Sequence, residues 1–366
     1  MLKKNRLALM TSLLPLTAFA DAPSIAVDIA PLHSIVSQVT AGVTEPNLII
    51  PAEASPHYYS LKPSQARSLA NSDVVFWMGE ELTPWLEKSM DNVAESAKKV
   101  EILELDETIT YAFREGATFE GHDHGDHDEH GHDDHDDHGH DKHDDHGHDD
   151  HDDHGHDKHD DHGHDKHDDH GHDKHDDHGH DDHGHDEHEG HHHAHDGVDP
   201  HAWLDPVNAK NWVTVIKDTL SKMDAENADK YEANAEKAIA GLDELIANAQ
   251  AQISELGEPK FVVFHDAYQY FEKRFNVPAT GSITLGDAEA PSPARIKEIK
   301  DKVTELNVTC VFAEPQFDSG LVSNVFEGSV VTTIGIMDPL GSAIEEGPGH
   351  YNALIEGMVK SLSECK

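Results

Sequence analysis

Short runs of consecutive apolar residues alternate along the chain with stretches whose apolar positions recur every three or four residues. The short runs are typical of buried β-strands, whereas the longer spacing is typical of amphipathic helices. We predict strands at 24–29, 47–50, 74–78, 99–103, 260–264, 308–313 and 330–336. We predict helices at 32–40, 63–70 and 293–306. This alternation predicts an α/β fold with parallel sheets.

The stretch at 225–256 is much longer than the other helical stretches. It contains no proline and a single glycine, Gly241. Its apolar stripe consists of Tyr231, Ala235, Ile239, Leu242, Leu245 and Ile246. A helix of this length would span about 45 Å, so we interpret it as a rigid connector between two lobes. A coiled-coil dimer is the alternative, but the stripe is too short for four clean heptads.

The first 20 residues have the features of a secretory signal peptide. Basic residues precede a mostly apolar run at 7–17, and Ala18-Phe19-Ala20 resembles a cleavage site. The run is too short to span a bilayer, so we expect export and cleavage before Asp21. The predicted organisation is a signal peptide (1–20), an N-terminal α/β lobe (21–224), a connector helix (225–256) and a C-terminal α/β lobe (257–366).

A histidine-rich tract at 121–196 interrupts the first of these lobes. It holds all but five of the 35 histidines, and residues 135–182 consist of six octads of the form HDDHGHD(K/D). The octads contain no apolar residue, so we predict a disordered insertion. Interleaved imidazoles and carboxylates favour several weak binding sites for Zn, Cu or Ni. Candidate accessory ligands are His122, His124, His132, His135, His138, His140, His191, His192 and His193.

Charge and cysteine content narrow the class of protein. The formal net charge is −46, and residues 122–195 alone contain 29 acidic residues and four lysines. This acidity argues against nucleic acid as a partner and is compatible with a cationic ligand. The chain has two cysteines, Cys310 and Cys365. In an oxidising compartment such a pair favours a structural disulfide, and two buried free thiols are the alternative.

Three of the five histidines outside the tract lie in loops of the predicted fold. Two follow predicted strands, and the third lies in a proline-framed loop before a helix. His57 comes after the strand at 47–50, His265 comes directly after the strand at 260–264, and His201 lies in Asp-Pro-His-Ala-Trp-Leu-Asp-Pro at 199–206. Ligands of open α/β sheets bind outside the carboxyl ends of the strands, so the three can converge in a cleft. Asp338 follows the strand at 330–336 and is a candidate for a fourth position, which water could also fill. Three imidazoles with a carboxylate or water form a tetrahedral, zinc-compatible set.

The other two histidines, His33 and His350, we interpret as structural hydrogen-bonding residues. Three functional alternatives stay open on these residues alone. A zinc hydrolase would need a general base, for which Glu314 or Asp266 could be proposed, but the motif His-Glu-x-x-His does not occur outside the histidine-rich tract. A metal-scavenging adhesin or surface buffer is the second alternative. A manganese carrier is the third, although manganese sites favour more oxygen ligands than this set offers.

Four motifs resemble those of the metal-binding substrate-binding proteins of ABC importers, and most closely the zinc-uptake branch. They are Ser-Pro-His-Tyr-Tyr-Ser-Leu-Lys-Pro-Ser (55–64), Asp-Pro-His-Ala-Trp-Leu-Asp-Pro (199–206), Phe-His-Asp-Ala-Tyr (264–268) and Ala-Glu-Pro-Gln-Phe (313–317). The resemblance covers essentially the whole mature chain.

This resemblance implies a periplasmic, non-enzymatic carrier of Zn²⁺ that serves a membrane permease. It also implies two lobes joined by a long helix, a histidine-rich loop, a C-terminal disulfide, and histidine ligands at His57, His201 and His265. Asp338 aligns with the fourth ligand position that Asp or Glu occupies in manganese members, whereas Pro56 stands where some zinc members have glutamate. We expect a monomer, with an auxiliary periplasmic zinc chaperone as a further candidate partner.

Overall fold

The first lobe is organised around a parallel sheet in which each strand is followed by a helix or a loop that carries the chain back. The computed structural model describes residues 22–114, 119, 197–284, 291–317 and 319–365. Strands β1 (Ile25–Val27), β2 (Asn47–Leu48), β3 (Val74–Trp77) and β4 (Lys98–Glu101) are hydrogen-bonded in the order β2-β1-β3-β4. All three pairings are parallel. Helices α1 (Ala30–Thr40), α2 (Pro63–Ala70) and α3 (Pro84–Val93) belong to the same lobe.

The middle of the chain is helical. A 3-10 turn at Ala202–Leu204 leads into α4 (Pro206–Met223), and a second 3-10 turn at Ala225–Asn227 leads into α5 (Ala228–Ser254). The predicted connector helix is therefore present but begins three residues later, because the chain first makes that tight turn. The buried side of α5 packs against α1, α4 and the last helix of the chain. Its fully covered residues are Tyr231, Ala235, Ala238, Leu242, Leu245, Ala249 and Ile253.

The second lobe repeats the arrangement of the first. Strands β5 (Phe261–His265), β6 (Gly281–Thr284), β7 (Cys310–Ala313) and β8 (Thr333–Ile336) form a parallel sheet in the order β6-β5-β7-β8. Its helices are α6 (Gln269–Phe275), α7 (Pro293–Glu305) and α8 (Ser319–Phe326). The predicted α/β fold with two parallel sheets and a long helix between them is confirmed.

The last helix, α9 (His350–Ser363), connects the end of the chain to both halves. It packs against α1 and α5, and the backbone N–H of Tyr351 donates to the Ser34 hydroxyl at 3.0 Å. Beyond α9, Cys365 forms a disulfide with Cys310 at the start of β7. The predicted disulfide is thereby confirmed.

Proline residues fix where several of these helices begin. Pro63, Pro84, Pro206 and Pro293 occupy the first positions of α2, α3, α4 and α7. Proline suits this position because its ring presets the helical φ and the missing N–H would have no partner in the helix. In α4 the side chain of Asp205 also caps the helix by accepting a hydrogen bond from the N–H of Val207 at 2.8 Å. The loop that carries His201 is thus held directly against a helix start.

Two sets of predictions lie outside the described residues. They are the signal peptide at 1–20 and the histidine-rich tract with its nine accessory candidates. Within the described residues, none of the helices has the length and apolar composition that a membrane span requires.

Candidate metal centre

His265 is the last residue of β5 and is almost completely buried, with 2% of its surface exposed. Its ring nitrogen Nδ1 lies 2.7 Å from Oε1 of Glu314, which follows the neighbouring strand β7. A carboxylate accepts, so Nδ1 carries the proton and Nε2 is left with a lone pair. Adjacent parallel strands therefore present the imidazole and the carboxylate that orients it at the same edge of the second sheet.

His201 repeats this arrangement on the loop before α4. It is 4% exposed, and its Nδ1 lies 2.8 Å from Oδ1 of Asp199. The second oxygen of Asp199 accepts a hydrogen bond from Nε2 of Gln269 at 3.0 Å. Such carboxylate–histidine pairs fix the ring orientation and make the outward nitrogen a better metal ligand.

The two outward nitrogens meet. Nε2 of His201 and Nε2 of His265 are 3.4 Å apart. Two ligands of one tetrahedral zinc ion, each at about 2.0–2.1 Å, stand about 3.3–3.4 Å from one another. The separation of the two nitrogens thus matches the spacing that a shared zinc ion requires.

His57 approaches the same place from the first lobe. It lies in a turn at 56–58, it is partly exposed, and its ring centroid is 5.6 Å from that of His201. Nε1 of Trp85 donates to the carbonyl of Pro56 at 2.8 Å and so holds the residue before the histidine. The structure therefore brings the three predicted histidines together.

All three histidines line one small cavity of about 10 Å³. The remaining lining residues include the carboxylate of Glu314, the amide of Gln316 and the indole of Trp203. Within the described part of the chain, no three His, Cys, Asp or Glu side chains already have the spacing of a complete metal site. The three imidazoles share the cavity, and the closest approach is between His201 and His265.

Asp338 has a different position from the three histidines. It is not among the residues that line the cavity. Its Oδ1 accepts from Nε2 of Gln316 and from the N–H groups of Leu340 and Gly341, and its Oδ2 accepts from the N–H and hydroxyl of Ser342. The carboxylate therefore anchors the loop that follows β8.

The charged surroundings of the site include a group that the sequence analysis did not single out. Arg114, which precedes the histidine-rich tract in sequence, forms a bidentate ion pair with Asp266 and a second one with Glu272 of α6. Burial raises the pKa of Asp266 to about 6, although the Arg114 charge opposes that shift. Nearby, Ala112 forms an antiparallel bridge with Val198. Arg114 is therefore tied to the residue that follows His265.

The other two histidines have the structural role that the sequence analysis predicted. Nε2 of His33 lies 3.0 Å from the carbonyl of Pro46, and Nε2 of His350 lies 2.8 Å from the carbonyl of Leu340. Burial lowers the pKa of His33. Glu314 and Asp266, the two candidate bases of the hydrolase alternative, are bound to His265 and Arg114.

Two lobes, a long helix and a cavity lined by imidazoles define a two-lobed metal-binding protein. A family model described as zinc-uptake complex component A, periplasmic, matches residues 25–365. The chain belongs to this family. It is a periplasmic zinc-binding protein that supplies an ABC importer and is not an enzyme, which decides against the hydrolase and manganese alternatives.

Individual relatives agree with this assignment. The high-affinity zinc uptake system protein ZnuA of Brucella abortus (strain 2308) is 42% identical over 341 residues, which cover 93% of this chain and 91% of the relative. The protein of the same name from Paracoccus denitrificans (strain Pd 1222) is 39% identical over 361 residues, 98% and 95% of the two chains. A crystal structure of a ZnuA deletion mutant with zinc bound has a TM-score of 0.64 at 20% identity and covers 94% of this chain and 98% of its own. Because the sequence identity to this crystal structure is only 20%, the similarity shows a shared fold and nothing more.

Proposed function

We propose that His57, His201 and His265 hold the zinc ion that this protein carries to the membrane permease. The observation that supports this most directly is the 3.4 Å separation of Nε2 of His201 from Nε2 of His265. Both nitrogens belong to rings whose other nitrogen is bonded to a carboxylate. His57 lines the same cavity from the other lobe.

Binding and release follow from this arrangement. His201 and His265 form a preoriented pair, because buried carboxylates fix both rings before the ion arrives. His57 lies on a partly exposed turn, so a small movement of the segment 51–57 brings its imidazole onto the ion. The reverse movement weakens the site and releases the ion to the permease. Long helix α5 packs against α1, α4 and α9, and we propose that it keeps the lobes at 21–224 and 257–366 semi-rigid.

We propose that water fills the fourth coordination position. Both carboxylate oxygens of Asp338 are occupied by hydrogen bonds from its own loop and from Gln316. Recruiting Asp338 as a ligand would break these bonds and release the loop after β8. Its absence from the cavity lining also supports water.

The histidine-rich tract is proposed as an accessory, low-affinity zinc store. Its imidazoles bind metal in the neutral form, so its capacity should fall as the pH drops below about 6.5. Two finer proposals concern partners. The protein acts as a monomer, since one chain supplies every ligand in the proposed site, and an auxiliary periplasmic zinc chaperone is a further partner for the zinc-loaded tract.

Competition with a strong chelator tests the assignment. The full chain should retain one zinc ion per molecule, and His57→Ala, His201→Ala and His265→Ala should each release it. A chain with His135→Ala and His138→Ala is the matched control, because it loses imidazoles from the tract alone. Deletion of 121–196 should remove several weak ions and leave the tight one. Retention of tight zinc after all three site substitutions would contradict the proposal.

A further inference from the structure

Gln316 lines the metal cavity and contacts both lobes. It follows β7 by three residues, and its Nε2 donates to Oδ1 of Asp338 at 2.9 Å and to the carbonyl of Ala52 at 3.2 Å. Ala52 belongs to the first-lobe segment that leads to His57, whereas Asp338 belongs to the loop after β8. Both partners are acceptors, so they fix which end of the amide carries the nitrogen.

The other end of this amide lacks a donor. Oε1 of Gln316 is buried, and none of the described residues donates a hydrogen bond to it. A buried acceptor without a partner is costly, and in native proteins such an atom commonly indicates a bound water or ion. Gln316 shares its cavity with His57, His201 and His265. A cavity of about 10 Å³ has room for roughly one water molecule.

The neighbouring carboxylates already accept hydrogen bonds from other residues. Asp338 is occupied by its own loop and by Gln316, and Oε1 of Glu314 is bonded to His265. Asp338 thus acts on the cavity through Gln316, by holding the amide nitrogen. The amide oxygen of Gln316 is a polar atom of a lining residue that can accept a hydrogen bond from a ligand of the ion.

We propose that Gln316 is a specificity-determining residue, whose amide oxygen accepts a hydrogen bond from the water at the fourth zinc position. This inference rests on the three-histidine site proposed above. A neutral amide adds no charge to three neutral imidazoles, and this favours zinc, whereas carboxylate oxygens favour manganese. The bond from Nε2 to Ala52 also ties the amide to the segment that brings His57 to the ion.

The test measures the coordination geometry and the affinity in the full chain. Substoichiometric Co²⁺ is added as a spectroscopic substitute for zinc, and the visible absorption of the tight site is recorded. Zn²⁺ and Mn²⁺ affinities are then determined by chelator competition. The variants are Gln316→Met, which removes the amide at similar length, and Gln316→Glu, which offers a charged oxygen. Gln252→Met, at an exposed position of α5, is the matched control.

Gln316→Met should weaken zinc binding about tenfold and change the Co²⁺ spectrum, while Gln252→Met should resemble the parent. Gln316→Glu should raise the ratio of Mn²⁺ to Zn²⁺ affinity at least about tenfold. A residue that only tied the lobes together would change affinity without changing the spectrum. Parent-like spectra and metal ratios in both Gln316 variants would overturn the inference. His201→Ala tests the three-histidine site itself. If this variant kept the tight zinc site, the proposed function would be contradicted, and not the role of Gln316 alone.

Discussion

The two sides of the metal cavity are built in different ways. His201 and His265 are buried, and each has a carboxylate on its inner nitrogen at 2.8 Å or less. His57 lies on a partly exposed turn whose described support from Trp85 is a hydrogen bond to the backbone of Pro56. His201 and His265 are thus buried and held through their imidazole rings, whereas His57 is partly exposed.

We propose that this difference separates the residues that set zinc affinity from the residue that allows release. A rigid, preoriented pair lowers the entropic cost of binding, because the rings need little reorganisation when the ion arrives. A ligand on a surface turn can withdraw at smaller cost than a buried one. A carrier must bind tightly and still release its cargo, and the two sides of the cavity divide these requirements.

The largest effect should come from removing a ligand, and the two sides should differ in the metal-free protein. His265→Ala and His57→Ala should each weaken zinc by on the order of a thousandfold, about 4 kcal/mol. His265→Ala should also destabilise the metal-free fold by about 1–3 kcal/mol, because it leaves the Glu314 carboxylate buried without its imidazole. His57→Ala should leave the metal-free unfolding midpoint close to that of the parent. Chelator competition and thermal unfolding measure the two effects, and equal losses of stability would contradict the division.

The next effect concerns the ion pairs beside His265. Arg114→Leu should lower the free energy of unfolding by about 3–5 kcal/mol, because it leaves Asp266 and Glu272 buried without their cation. Denaturant unfolding measures this, with Lys297→Leu at an exposed site of α7 as the control. The substitution leaves all three histidines in place. The free energy of zinc binding should therefore change by less than the free energy of unfolding.

The same variant has a predicted pH dependence. Asp266 has a folded pKa of about 6, above its ordinary value, so the folded state loses stability as the pH rises from about 4 to 6. Without Arg114 the folded pKa rises further, and this loss extends to higher pH. The difference in stability between parent and Arg114→Leu should therefore grow as the pH rises through 6. A constant difference between pH 5 and pH 8 would contradict this explanation.

Much of this architecture could be predicted from local pattern. Seven of the strands, among them Val74–Trp77, follow from apolar runs. The long helix and the short helix Pro63–Ala70 follow from helical spacing. Strand Gly281–Thr284 was missed because Ile283 is its only large apolar residue, and the strand is identified by its pairing with β5. Parallel pairing of this kind is a long-range property that a local pattern does not contain.

The histidines that we propose as ligands could be selected from the sequence, whereas the residues that support them could not. His57, His201 and His265 stand in distinctive motifs, but the partners that orient them depend on tertiary contacts. Glu314 reaches His265 because β5 and β7 are neighbours, although 49 residues separate them in sequence. Asp338 was a candidate ligand because it follows a strand, and this stays a prediction. Its hydrogen bonds in the structure come from its own loop and from Gln316.

The supporting carboxylates should have an intermediate effect on affinity. Glu314→Gln and Asp199→Asn keep the shape of each side chain and remove its charge. Loss of such a partner weakens metal binding about 10- to 100-fold, so each variant should bind zinc less tightly by that factor. Glu305→Gln, at an exposed position of α7, is the matched control. Zinc affinities equal to the parent in both variants would mean that the buried pairs serve the fold and not the metal.

The smallest effect should arise on the side of His57. Trp85→Phe removes the hydrogen bond to Pro56 while retaining an aromatic ring in contact with the turn. One hydrogen bond contributes about 0.5–1.5 kcal/mol, so zinc should bind about three- to tenfold more weakly. Because the turn then moves more freely, most of this change should appear as faster release in stopped-flow transfer to a chelator. Trp77→Phe is the matched control, since the buried Nε1 of Trp77 has no hydrogen-bond partner among the described residues. If Trp85→Phe slowed zinc capture and left release unchanged, the turn would act in admitting the ion, and the division between a preoriented pair and a releasing ligand would be wrong.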